Sequence, residues 1–291
     1  MERRTFIKNI GASSLLVGLG GLGSLSMKPN NANHITILHT NDTHSHIDPL
    51  PLNDPINPNK GGAARRAQLI ERIRKENSNT LLFDAGDIFQ GTPYFNFYGG
   101  ELEFKVMSML RYDAATLGNH DFDNGLEGLY AQLPHAKFDF IISNYDVSNT
   151  ILNGHTKPYK IYLVDGIKIG VFGIGVELEG LVTKQNYGET VYLDPIEIAQ
   201  DMERKLRNEE KCDLIICLSH IGYDYKDNPK KVNDLKMAAQ TSHIDLIIGG
   251  HTHTFLEHPT LVTNRSGNTT LVNQVGCYGI NLGRIDFYFE E

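Results

Sequence analysis

ITILHTNDTHSH, residues 35–46, sets a short apolar run directly against a cluster of Asn, Asp, Thr and His. The run is β-branched and too short for a helix, so 35–39 reads as a buried strand. The polar cluster then begins where that strand ends. The same grammar recurs four times: Gly86-Asp87 follows 80–83, Gly118-Asn119-His120-Asp121 follows 114–117, Ser219-His220 follows 213–218, and Gly249-Gly250-His251-Thr252-His253 follows 244–248. Chemistry carried at the carboxyl ends of successive strands is how open α/β sheets build their sites.

Helical patterns alternate with these strands, at 61–75, around 101–110, at 195–207 and at 232–240. Segments 160–164 and 168–172, joined by Asp165-Gly166, read as a hairpin. Segment 138–142 is a further strand, and the end of the chain is strand-rich at 260–263, 269–275 and 283–289. Strand–helix alternation followed by a β-rich tail predicts an α/β architecture with more than one sheet. Residues 48–60, rich in Pro and Asn, read as an irregular loop, and 27–34 as a polar linker. The rest, 35–291, reads as one domain.

Apolar residues make up 40% and charged residues 21% of the 291, as in an ordinary folded domain. The formal net charge is −8, which argues against a nucleic-acid polymer as partner. An anionic substrate is still possible, because bound cations dominate their own neighbourhood. Cys212, Cys217 and Cys277 are too few and too late for a disulfide framework and read as buried packing residues. At the start, Arg3-Arg4-Thr5-Phe6-Ile7-Lys8 precedes an uncharged Gly/Leu-rich stretch. Residues 1–26 read as a twin-arginine export signal with a cleavage site near Ser24-Leu25-Ser26, no stable membrane anchor, and a bacterial periplasmic destination.

The polar clusters supply oxygen and nitrogen donors without thiolate. Asp42 and His44, two apart beyond a strand, can point the same way. His251 and His253 repeat that spacing. Asp87 has two oxygens and can bridge two ions roughly 3.5–4 Å apart, while Asp84 and Asp121 read as supporting neighbours. Asn119 offers a neutral oxygen. His120, the next residue, points elsewhere, toward substrate, with Asp123 placed to accept its other N–H and keep it charged. His220 ends an apolar run as a lone imidazole, which a core histidine also could. His39 and His46 can touch the surroundings of the site. Two divalent ions held by Asp42 and Asp87 leave a centre of net positive charge, suited to water and a phosphoryl group. First-row ions such as Mn, Zn or Fe all suit these donors.

The blocks ILHTNDTHSH, FDAGDIFQGTPYF, YDAATLGNHDFDNG, CDLIICLSH and IIGGHTH together resemble the calcineurin-like metallophosphoesterase superfamily, and within it the catalytic domain of the 5′-nucleotidase family. The resemblance implies a four-layer αββα sandwich of two mixed sheets. It implies one ion held by Asp42, His44, Asp87 and His253, a second by Asp87, Asn119, His220 and His251, and His120 with Asp123 as the catalytic pair. It further implies a small phosphorylated substrate, a nucleotide foremost, with 2′,3′-cyclic nucleotide or other phosphodiester hydrolysis as the alternative and a non-catalytic metal-binding subunit as the second. Family members continue into a substrate-specificity domain that this sequence does not show. The expectation is therefore either broader ester use or a separate substrate-binding polypeptide acting in trans.

Overall fold

The computed structural model describes residues 32–290 and, as backbone, the short strands Phe6–Ile7 and Ser13–Leu16. The export signal read at 1–26 lies otherwise outside the described residues. One sheet runs from Phe6–Ile7 through Asn281–Glu290, Ala32–Thr40, Thr80–Asp84 and Ala114–Ala115 to Asp139–Phe140, with Ser13–Leu16 also paired to Asn281–Glu290. Its members from Ala32–Thr40 to Asp139–Phe140 are parallel, and Asn281–Glu290 is antiparallel to them. The other sheet orders Thr260–Thr263, Thr269–Asn273, Leu246–Ile248, Leu214–Ser219, Ile167–Ile174 and Tyr159–Val164. Its central pairs are parallel and its two edge strands antiparallel.

The alternation of side chains along each strand sorts the core into three layers. Ile35, Ile37, Leu81, Phe83 and Ile285 of the first sheet meet Ile169, Val171, Leu214, Ile216 and Ile248 of the second, forming a dry seam between them. The other face of the first sheet, with Leu38 and Leu82, packs on Ile70 and Ile73 of helix Ala63–Glu76 and on Phe104 of helix Glu101–Met109. The outer face of the second, with Ile215, Cys217 and Ile247, packs on Ala199 of helix Pro195–Arg204 and Met237 of helix Asp234–Gln240. Layers therefore run α, β, β, α, as the resemblance implies. Strand Leu214–Ser219 is apolar up to its terminal Ser219 because both faces are covered. Burying one Leu or Ile there contributes about 1.5–3 kcal/mol.

Some boundaries differ from the sequence reading. The linker at 27–34 does not run to its end: residues 32–34 extend the first strand, where His34 pairs with Tyr288 and hydrogen-bonds Asp286 at 2.7 Å. Helix Pro93–Tyr98 has no counterpart in that reading. Thr92 caps it by accepting the Tyr94 N–H, and Pro93 occupies its first turn. The strand expected over 114–117 is only Ala114–Ala115, although the Thr116 amide still bonds the Asp84 carbonyl of the neighbouring strand at 3.0 Å. The helix expected to reach 207 gives way at Lys205 to a wide turn over Lys205–Glu209. Among the described residues no helix is long and apolar enough to cross a membrane.

Candidate metal centre at the meeting of two sheets

Every predicted donor stands just past the carboxyl end of a parallel strand. Asp42 and His44 follow Ala32–Thr40, Asp87 follows Thr80–Asp84, and Asn119 follows Ala114–Ala115. His220 follows Leu214–Ser219, and His251 and His253 follow Leu246–Ile248. The backbone conformation, however, is not the extended one that the two-residue spacing suggests. Asp42, His44, Asp87, His251 and His253 all have positive φ, between 47° and 73°. Asp and His are among the residues that tolerate this region, at a cost of order 1–3 kcal/mol each. The loops are locked into it by one another: the amides of Asp42, His44 and Ser45 donate to the carbonyls of Gly86, Asp87 and Ile88 at 2.9, 3.1 and 2.9 Å.

Two triads result. The donor atoms of Asp42, His44 and His253 lie within 4.8 Å of one another, and so do those of Asp87, His220 and His251. Asp87 lies between them, with Oδ2 3.1 Å from His220 Nε2 and 3.8 Å from His44 Nε2. Asn119 Oδ1 is 2.8 Å from His251 Nδ1 and so joins the second triad.

The donor set fits cations. His220 Nδ1 is 2.6 Å from the Ala85 carbonyl, to which it can only donate, so its lone pair is on Nε2. That atom is wholly buried and faces no donor: its neighbour at 3.1 Å is Asp87 Oδ2, itself an acceptor. His44 Nδ1 likewise faces the Phe89 carbonyl at 3.2 Å, and His44 Nε2 meets His253 Nε2 at 3.0 Å. Two imidazole nitrogens face to face beside two buried carboxylates need positive charge between them. The same demand appears as proton affinity. Burial alone would depress His220, but Asp87 and Asp42 outweigh it and raise it to about 10. His253 is also raised to about 10 against its own burial, by Asp42 and by nearby Cys277. His251, buried beside His220, falls to about 4.

Neighbours fix the donors. Asp42 Oδ2 accepts from Asn41 Nδ2 at 2.6 Å, and its two oxygens receive the His251 amide at 3.0 and 3.1 Å. Asp121 braces two loops at once: Oδ1 accepts the amides of Ile88 and Phe89, and Oδ2 those of Asp87 and Gly118. Asp84 ties Thr40 to the Gly86 amide. Gly118 and Gly250 are required by close approach, since a Cβ would stand 2.2 Å from Asp87 Oδ1 and 2.7 Å from His220 Nδ1 respectively.

His120 is set apart from both triads. Its amide donates to Asp87 Oδ1 at 2.8 Å, its ring lies edge-on to His44 with centroids 5.3 Å apart, and Nδ1 is 2.8 Å from Asp123 Oδ2. That hydrogen bond outweighs partial burial and raises the His120 pKa. His46 bonds the His44 carbonyl at 2.8 Å, whereas His39 is buried against Asn273, and burial lowers its pKa to about 3.

Several contributors escaped the sequence reading. Cys277 is buried, as read from the sequence, and stands near enough to His253 to help raise its pKa. Tyr278 packs on His46, His253 and His44 at 4.3, 5.9 and 6.0 Å. Gln274 braces the histidine loop through the Gly250 carbonyl and the Thr254 amide. None sits in a charged or histidine-bearing cluster that would have marked it.

The chain belongs to the calcineurin-like phosphoesterase family, whose model matches residues 35–255. It is similar to the trifunctional nucleotide phosphoesterase protein YfkN of Bacillus subtilis, 36% identical over 88% of this chain and 18% of that protein. It is similar to human 5′-nucleotidase, 32% identical over 93% of this chain and 49% of the human one. Among solved structures, a 5′-nucleotidase precursor from Thermus thermophilus superposes with a TM-score of 0.79 at 35% identity, over 87% of this chain and 51% of that one. The chain thus spans about half or less of each of these relatives.

Proposed function

We propose that this chain hydrolyses phosphate esters, nucleotides foremost, at a centre that holds two divalent ions. Asp42, His44, Asp87 and His253 would hold one ion, and Asp87, Asn119, His220 and His251 the other. The observation that carries the reading is Asp87, within 4 Å of histidines from both triads. Bound ions would supply Lewis acidity, acidifying water and neutralising phosphoryl charge. Mn, Zn and Fe suit the nitrogen and oxygen donors.

The chain's own residues do the rest. Asp123 accepts a hydrogen bond from the Nδ1–H of His120 and favours the imidazolium. This leaves the Nε2 proton for a phosphoryl or departing ester oxygen. The Asp87–His120 amide bond keeps that ring in register with the shared carboxylate. Asn119 adds an oxygen without adding negative charge, so the centre remains attractive to an anion. Similarity to proteins named as nucleotide phosphoesterase and 5′-nucleotidase supports the substrate class. We also read 1–26 as a twin-arginine signal directing the protein to the periplasm, which cell fractionation tests.

His120→Asn should lower turnover of a nucleoside monophosphate by about 10²–10⁴-fold while the metal content stays at the wild-type level. Undiminished hydrolysis would remove the role given to His120. Parallel turnover of a 2′,3′-cyclic nucleotide separates monoester from diester preference.

A further inference from the structure

Helix Asp234–Gln240 opens on an aspartate that is turned inward. An acidic residue in a first helical turn is ordinary where it faces water. Asp234 is instead wholly buried, and the chemistry proposed above gives it no task. Its Oδ1 accepts the Ser219 hydroxyl at 2.5 Å, while its Oδ2 has no hydrogen-bond partner. A buried acceptor without a donor is costly, and chains that break a local rule in this way do so chiefly at functional sites.

Both sides of the carboxyl fall on the stems of the second triad. Ser219 ends strand Leu214–Ser219 and directly precedes His220. On the other side Gly249 presses so close that a Cβ there would stand 2.2 Å from Asp234 Oδ2. Gly249 follows strand Leu246–Ile248 and stands two residues before His251. The Asp234 amide donates to the Gly222 carbonyl at 2.8 Å, which fixes the helix start to the loop beyond His220. Asn233 completes the arrangement by accepting the Lys236 N–H at 2.9 Å. Of the first triad, Asp42 and His44 belong to the other sheet, and His253 stands four residues past Gly249.

We infer that Asp234 is a positioning residue for the second ion: its carboxyl sets the spacing of the Ser219 and Gly249 strand ends and so aims the His220 and His251 imidazoles at one point. The inference rests on the two-ion reading and deepens it. Asp234 hydrogen-bonds Ser219 rather than either imidazole, so its effect travels through the two backbone stems. Loss of a residue that orients ligands weakens metal affinity by about 10–100-fold. A general loss of stability would weaken both ions alike, whereas a positioning defect falls on one.

Manganese titration of the full chain tests this, by calorimetry and by electron paramagnetic resonance, which separates two ions coupled through a shared carboxylate from a lone ion. The wild type should take up two ions and show the coupled signal. Asp234→Ala should raise the Kd of one ion by about 10–100-fold and leave the other nearly as tight. It should show the lone-ion signal at a manganese level that fills both wild-type sites. Asp234→Asn keeps an acceptor for Ser219 and the bulk behind Gly249, and should recover most of the lost affinity. Ser219→Ala should weaken the same ion severalfold, and serves if Asp234→Ala does not fold. Two ions held by Asp234→Ala or Ser219→Ala as tightly as by the wild type, or both ions weakened alike, would overturn the inference. So would an Asp234→Asn no better than Asp234→Ala. A wild type that binds no pair of ions would sink the two-ion reading and the inference with it, whereas the preceding outcomes sink the inference alone.

Discussion

Asp121→Asn is the substitution whose consequence the structure fixes most closely. The Asp121 carboxyl is buried and receives four backbone amides, two on each oxygen, at 2.8–3.2 Å. An asparagine has one carbonyl oxygen, so whichever way it turns, its NH₂ faces two of those N–H groups. Each buried donor left without an acceptor costs about 1–3 kcal/mol, hence about 2–6 kcal/mol for the pair. Part of this is offset. Burial and the charge on Asp87 raise the Asp121 pKa to about 7, and removing the charge ends that repulsion. A net loss of about 2–4 kcal/mol is expected, a large share of the roughly 5–15 kcal/mol typical of a folded domain. Urea unfolding followed by circular dichroism, on chelator-treated protein so that ions do not mask the effect, measures it. The same variant should bind divalent ions more weakly, because the loops carrying Asp87 and Asn119 share this anchor. A loss below about 1 kcal/mol would mean that the four amides find other acceptors, and the account of the loop would fail.

Three further outcomes follow from named contacts. Gly118→Ala puts a methyl 2.2 Å from Asp87 Oδ1 and 2.5 Å from its amide nitrogen; it should cost about 1–3 kcal/mol and reduce the ion stoichiometry seen by elemental analysis. Restoring Mn or Zn to chelated protein at about a hundred times Kd should stabilise it by about 2.7 kcal/mol per ion, read as a rise of several degrees in Tm; an unmoved Tm would contradict the metal centre. Burial would raise the Asp286 pKa, but hydrogen bonds from His34, Thr36 and Arg284 outweigh it and hold it below the usual carboxylate value. That contribution is present above the unfolded pKa of about 3.9 and is lost as pH falls through the lower folded value. As pH falls below about 4 the wild type should therefore lose stability more steeply than Asp286→Asn in urea titrations.

The site was more legible in the sequence than the way its backbone is bent. Leu214–Ser219 reads as a doubly covered strand from its residues alone, and the clusters at strand ends announce their chemistry because Asp, Asn and His rarely accumulate there by accident. Asp121 and Asp123 were separable because one follows a glycine-led turn and the other stands three residues from His120, within side-chain reach. Left-handed φ at Asp42, His44 and His253 was not legible, since backbone bonds to loops far off in the chain help to impose it. Tyr278 and Gln274 were silent because their place is set only when strand Thr269–Asn273 pairs in parallel with Leu246–Ile248 and brings the segment that follows it beside the histidines. Helix Pro93–Tyr98 escaped because six residues carry too short a period to register.

The donors are split between the halves of the sandwich. Asp42, His44, Asp87 and Asn119 are carried by one sheet, and His220, His251 and His253 by the other. An ion seated there acts as a rivet through the upper rim, joining positions as distant in the chain as His44 and His253. Emptied of ions, the molecule would part first at that rim, and amide exchange at 42–45 and 250–253 would run ahead of the far edge. Loaded, those same amides should be among the slowest to exchange, so filling the centre and closing the two halves on each other would become a single event.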